Sequence, residues 1–121
     1  MAEKPYRIIA TPFDSSGVKL ILWENLILND TGAPFMCPEF SDKSVQVIGT
    51  LGAGGNCQIK GSNIKDSPTW ATLNDPQGNA LDITAAKIET ILENVYEIQP
   101  EITAGDETTD IDVYLLLATT R

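Results

Sequence analysis

A chain of 121 residues has room for one domain, and its 42% hydrophobic content argues against disorder. The net charge of −9 is lopsided: residues 1–61 carry five basic and six acidic side chains, residues 62–121 three and eleven. That balance, with no basic stripe, repels phosphate backbones and anionic lipid, so neither nucleic acid nor a membrane is expected as a partner. No run approaches the roughly 20 apolar residues of a spanning helix. The segment 1–5 has no apolar stretch after its charges, so no secretory signal is expected.

Residues 5–13 contain Pro5 and Pro12, which cannot donate to a ladder. This N-terminal segment, 1–13, is expected as an edge strand or an extended arm. A turn follows at 14–17 and a strand at 18–23. The apolar run 26–28 ends in a turn at 29–32. Residues 33–43, with Pro34 and Pro38, read as an irregular loop carrying Phe35, Met36 and Phe40. The stretch 44–51 alternates, with Val45, Val47 and Leu51 on one face and Ser44, Gln46 and Thr50 on the other. Ile48 is an apolar exception on the polar face. A glycine-rich turn at 52–55 and a return strand at 56–61 predict a hairpin.

Residues 62–69 read as a loop and 70–73 as a short strand, with Trp70 plugging the core. The run Asp75-Pro76-Gln77-Gly78 has turn chemistry, because proline presets φ and glycine accepts a positive one. Residues 81–84 are expected to be extended. Over 85–92 the spacing of Ala85, Ile88, Ile91 and Leu92 predicts two turns of helix, with Thr84 as N-cap. Strands are expected through 95–103 and 111–118 with a turn between them, Ile111, Val113, Leu115 and Leu117 facing inward. Seven or eight short strands, no βαβ alternation and one short helix make an all-β sandwich or barrel. The whole chain, 1–121, is read as a single domain.

Catalytic chemistry finds little purchase. Without histidine the commonest general base near neutral pH is missing, and no Ser-His-Asp or Cys-His site is possible. Cys37 and Cys57 have apolar neighbours and suit buried free thiols, a disulfide being the lesser alternative; two such residues make no zinc site. The glycines at 52–55 are followed by a strand, whereas a phosphate loop opens a helix. Asp106, Glu107, Asp110 and Asp112 fit no calcium-loop spacing and read as a solvated turn. No enzyme activity, metal or cofactor is expected.

Binding surfaces are more promising. In the 18–23 strand Val18, Leu20 and Leu22 share one face, while Ile21 and Trp23 share the other with Lys19. A strand apolar on both faces is either central in a sandwich or covered by a partner. Leu116 likewise points outward from the last strand.

Residues 44–73, continuing into Asp75-Pro76-Gln77-Gly78-Asn79, resemble the middle of small particle proteins of tailed phages. Ile59, Gly61-Ser62-Asn63, Trp70 and Leu73 carry the likeness, as do 99–106 and 108–110. The Gly-Ser-Asn…Trp portion is also similar to discoidin-type jelly-roll modules, although Gln99-Pro100 stands where those have an Arg-Pro or Arg-Ile step. The resemblance implies a jelly-roll-like β-sandwich acting as a capsid cement, or decoration, protein. Such a protein is made in the host cytoplasm, sits on the exterior of an icosahedral head and clamps neighbouring major capsid protein subunits, as a dimer or trimer.

On this reading the N-terminal arm, with Tyr6, Arg7 and Phe13, and the 33–40 loop, with Phe35 and Met36, carry much of the partner contact. Ile21, Trp23 and Leu116 add to it. The competing expectation is that both segments fold back over the domain's own core. The alternative function is a carbohydrate-binding module of a phage attachment structure. That needs exposed aromatic faces beside polar loop groups, in a chain with only eight aromatic residues.

Overall fold

The computed structural model describes residues 3–13 and 16–119, so the turn expected at 14–17 lies partly outside the described residues. The regular structure of the described residues is almost all strand: β1 Glu3–Lys4, β2 Tyr6–Ile9, β3 Val18–Leu26, β4 Thr31–Gly32, β5 Phe35–Met36, β6 Asp42–Thr50, β7 Asn56–Ser62, β8 Ala71–Thr72, β9 Asp82–Ile83, β10 Lys87–Thr90, β11 Glu97–Ala104 and β12 Asp110–Ala118. They form two sheets. One runs β10-β6-β12-β3-β2; the other runs β1-β4-β11-β7-β8, with β5 also on β11 and β9 also on β7.

β4 and β5 are two pieces of one strand along β11, and β8 and β9 two pieces of one strand along β7. With the pieces joined, β3 through β12 make eight passes, and the two sheets have the strand order of a jelly roll. The break between β4 and β5 lies opposite Gln99 and Pro100 of β11, where the proline has no N–H to donate.

The core lies between the sheets and follows the period-two pattern. Val45 and Val47, Ile111, Val113, Leu115 and Leu117, Ile59, Ile98 and Ile102 are all buried, together with Ile21, Trp23 and Leu26 of β3. Ile48, the apolar exception on β6, is 38% exposed on the outer face.

Three expectations are corrected. Residues 85–92 are not helical: β10 pairs in antiparallel register with β6, from Lys87↔Val47 to Thr90↔Ser44. Two helical turns are too short to hold by themselves, and the open edge of β6 offers their backbone a full set of partners. The segments 44–51 and 56–61 form no hairpin, because β6 and β7 lie in different sheets. Gly52 and Gly54, with φ of +80° and +66°, carry the chain across the end of the sandwich instead. Period-two alternation fits both arrangements, since each puts one face on the same core. Trp70 does not plug the core. It is half-buried, just before β8, outside the buried cluster.

Of the two expectations for the N-terminal segment, edge strand or extended arm, residues 3–9 take the first, β1 and β2 each lying at the edge of a sheet. β1 lies parallel to β4 in one sheet, and β2 pairs with β3 in the other, Tyr6 opposite Trp23.

Candidate partner-binding surface

β2 brings the N-terminal segment to the flank where the two sheets meet. The Tyr6 ring stands edge-on to Phe35, centroids 5.1 Å apart, and edge-on to Trp23 at 6.4 Å. Trp23 Nε1 donates to the Ala33 carbonyl at 2.9 Å, which fixes the entry to β5. Ala33 N donates to Lys4 O, and Lys4 Nζ lies 3.4 Å from the buried carboxylate of Asp30. The flank is thus tied by backbone, aromatic and ionic contacts among three segments, 4–6, 23 and 30–35. Exposed on it are Ile8 and Met36, each 51% accessible, with the Tyr96 hydroxyl donating to Met36 Sδ at 3.3 Å.

Around the edge of β2 the surface continues onto the outer face of the five-stranded sheet. Strand registers set two rows there: Arg7, Leu22, Tyr114, Gln46 and Ile88, then Ile9, Leu20, Leu116, Ser44 and Thr90. A shallow groove of about 310 Å³ runs between Leu20, Ile88, Tyr114 and Leu116. Ile88 is 63% exposed and Leu116 45%. Arg7 carries the one charge in these rows and is paired with Glu24 at 2.9 Å. Their hydrogen bond raises the guanidinium's pKa and lowers the carboxyl's.

The structure therefore brings Tyr6, Phe35 and Met36 together on the flank and sets Arg7 and Leu116 on the adjoining face. Phe13 is exposed in the loop after β2. Ile21, Trp23 and Phe35 are corrected: all three are buried in the core, so of Tyr6, Trp23 and Phe35 only Tyr6 presents a surface to a partner. β3 is apolar on both faces because it is central, and Leu22 on its outer face is itself buried, with Arg7 and Tyr114 beside it in the sheet. Sequence reasoning missed Ile8 and Ile88 as surface groups. Ile88 was hidden by the helical assignment; its one signal was an isoleucine between Lys87 and Glu89.

The remaining reactive groups are held in structural roles. Cys37 and Cys57 are free and buried, and burial pushes their thiols up to about 11 and about 12, far from the thiolate form at neutral pH. The Asp106 carboxylate accepts hydrogen bonds from the Thr108 hydroxyl, Ala53 N and Thr108 N, which hold it below the usual carboxylate range. Those bonds clamp the turn before β12 onto the 52–55 connection.

No protein-family model and no curated protein matches the chain. Among solved structures it is similar to Peruvianin-I, a cysteine peptidase from Thevetia peruviana latex, with TM-score 0.49 and 11% identity over 94% of this chain. The chain spans 60% of the length of that protein. It is also similar to KdgF from Halomonas sp., with TM-score 0.40 and 9% identity, covering 95% of this chain and 78% of the other.

Proposed function

We propose that this chain is a structural protein of a tailed-phage particle, a jelly-roll cement that binds the outside of an icosahedral capsid and joins neighbouring major capsid subunits. The observation that carries the reading is the exposure of large apolar side chains on two adjoining surfaces, the flank and the outer sheet face. Ile8 and Met36 are exposed on the first and Ile88 and Leu116 on the second, with the Arg7–Glu24 pair between them. A monomer that kept such a surface in water would be prone to aggregate. Covered by a partner, each large side chain contributes roughly 1.5–3 kcal/mol before ordering costs.

The motif likeness over residues 44–117 supports the same reading, as does the tying of the N-terminal strands into both sheets. A clamp must transmit force between subunits, and a strand paired at both ends does so better than a loose tail. Acidic charge concentrated in residues 62–121 suits an outward surface facing solvent and keeps particles apart.

Purified particles from cells expressing this chain provide the test. The expected result is near-stoichiometric recovery with the shell protein, on the protease-accessible exterior. Recovery of a few copies per particle, or none, overturns the reading.

A further inference from the structure

A second concavity lies away from the apolar surface. The two ends of the loop between β7 and β8, with β8 itself and Glu93 and Val95 ahead of β11, line an open cleft of about 540 Å³. Trp70 lines it, half-buried, in company with Ser62, Asn63, Thr69, Thr72 and Glu93. The volume falls within the range of small-ligand sites.

We propose that this cleft binds a neutral saccharide. A pyranose presents an apolar C–H face and a rim of hydroxyls, so it needs an aromatic ring flanked by fixed polar groups. Trp70 provides the ring, whose electron-rich face attracts C–H groups. Asn63 Oδ1 accepts from Tyr96 N at 3.1 Å, and Ser62 Oγ accepts from Ile64 N at 3.1 Å. Both side chains are therefore oriented while the Asn63 amide hydrogens and the Ser62 hydroxyl proton stay available. The Thr69 and Thr72 hydroxyls have no hydrogen-bond partner among the described residues.

The charge of the cleft selects a neutral ligand. No lysine or arginine lines it, which disfavours anions. Its one carboxylate, Glu93, receives Asn74 N at 2.8 Å on one oxygen and Asn74 Nδ2 at 2.7 Å on the other. Glu93 is thus occupied in holding the 74 and 93 segments together and offers little to a cation. This site stands independently of the capsid reading, since none of its lining residues is among those exposed on the flank or the sheet face.

The test uses the full chain with three neutral probes, cellohexaose, maltohexaose and chitohexaose, read by calorimetry and by intrinsic tryptophan fluorescence. At least one is expected to bind saturably. Trp70→Ala should weaken it about tenfold or more, and Thr69→Arg, which fills the cleft from an exposed loop position, should do the same. Should Trp70→Ala fail to fold, Thr69→Arg decides. Binding unchanged in the cleft variants, or no binding of any probe at about 10 mM, overturns the proposal and leaves particle attachment unaffected.

Discussion

Tyr6 and Phe35, 29 positions apart in sequence, meet edge-to-face with ring centroids 5.1 Å apart and an interplanar angle of 86°. The pair joins β2 of one sheet to β5 of the other and closes the sandwich along one flank. Tyr6 belongs to the edge of the core as well as to the surface, and the two roles can be separated by mutation.

Tyr6→Ala removes the contacts with both Phe35 and Trp23. Because Tyr6 is 36% exposed, the loss should be about 1.5–3 kcal/mol, less than for a fully buried ring. A double-mutant cycle with Phe35→Leu, followed by urea unfolding, should give a coupling of about 0.5–1.5 kcal/mol. A coupling near zero would mean the rings are neighbours without mutual stabilisation.

Ile8→Asp and Met36→Asp alter the exposed part of the same flank. Both side chains are half in water, so stability should change by about 0.5 kcal/mol or less. Particle binding should fall at least about tenfold for each, because a desolvated unpaired carboxylate is costly at an interface. Unchanged binding by both variants would move the contact elsewhere.

Alkaline pH should destabilise the fold. Cys37 and Cys57 ionise at about 11 and about 12 when buried, whereas an unfolded cysteine ionises near about 8.5. The folded chain thus holds two protons that the unfolded chain releases. Their contribution is complete below about pH 8.5 and is lost as pH rises toward the folded values. Lys43 opposes this. Burial lowers its pKa, so the unfolded chain holds more of that proton, and stability rises where the folded lysine has turned neutral. Two thiols against one amine leave a net loss of about 1–2 kcal/mol between pH 8.5 and 9.5. Denaturant titrations under reducing conditions should show that loss, and the Cys37→Ala/Cys57→Ala double variant should abolish it.

Two glycines should respond differently to alanine. At Gly49 φ is +109°, and an added Cβ would lie 2.5 Å from Asp110 O and 3.0 Å from Ile111 Cα, both backbone atoms of β12. Gly54 has φ of +66° but open space around it. Gly49→Ala should cost about 3 kcal/mol, by moving β6 off the central strand, and Gly54→Ala about 1 kcal/mol from backbone strain alone. Equal thermal shifts for the two would contradict the close packing at Gly49.

The alternation of Val45 and Val47, and of Ile111 through Leu117, was readable in the chain because a two-sided strand needs one apolar face whatever its neighbours are. The turn at 75–78 was equally legible: Asp75 Oδ1 caps the amides of Gln77 and Asn79, and Gly78 takes φ of +88°. These are local physics, set by side-chain chemistry within four or five residues.

Pairing was decided elsewhere. Whether 44–50 hydrogen-bonds to 56–62 or to 110–118 depends on a partner more than 50 residues away, and both registers bury the same valines. Residues 87–90 became a strand because the edge of β6 was vacant, which no window of eight residues can reveal. The surface followed from the pairing. Ile21 and Trp23 disappeared into the core once β2 and β12 flanked β3, while Tyr6, Phe35 and Met36 converged because two sheet edges meet there. Which residues want to leave water is written in the chain's composition and alternation; which of them the fold covers and which stay exposed depends on neighbours brought together by long-range backbone hydrogen bonds, and so is set by the pairing of the strands.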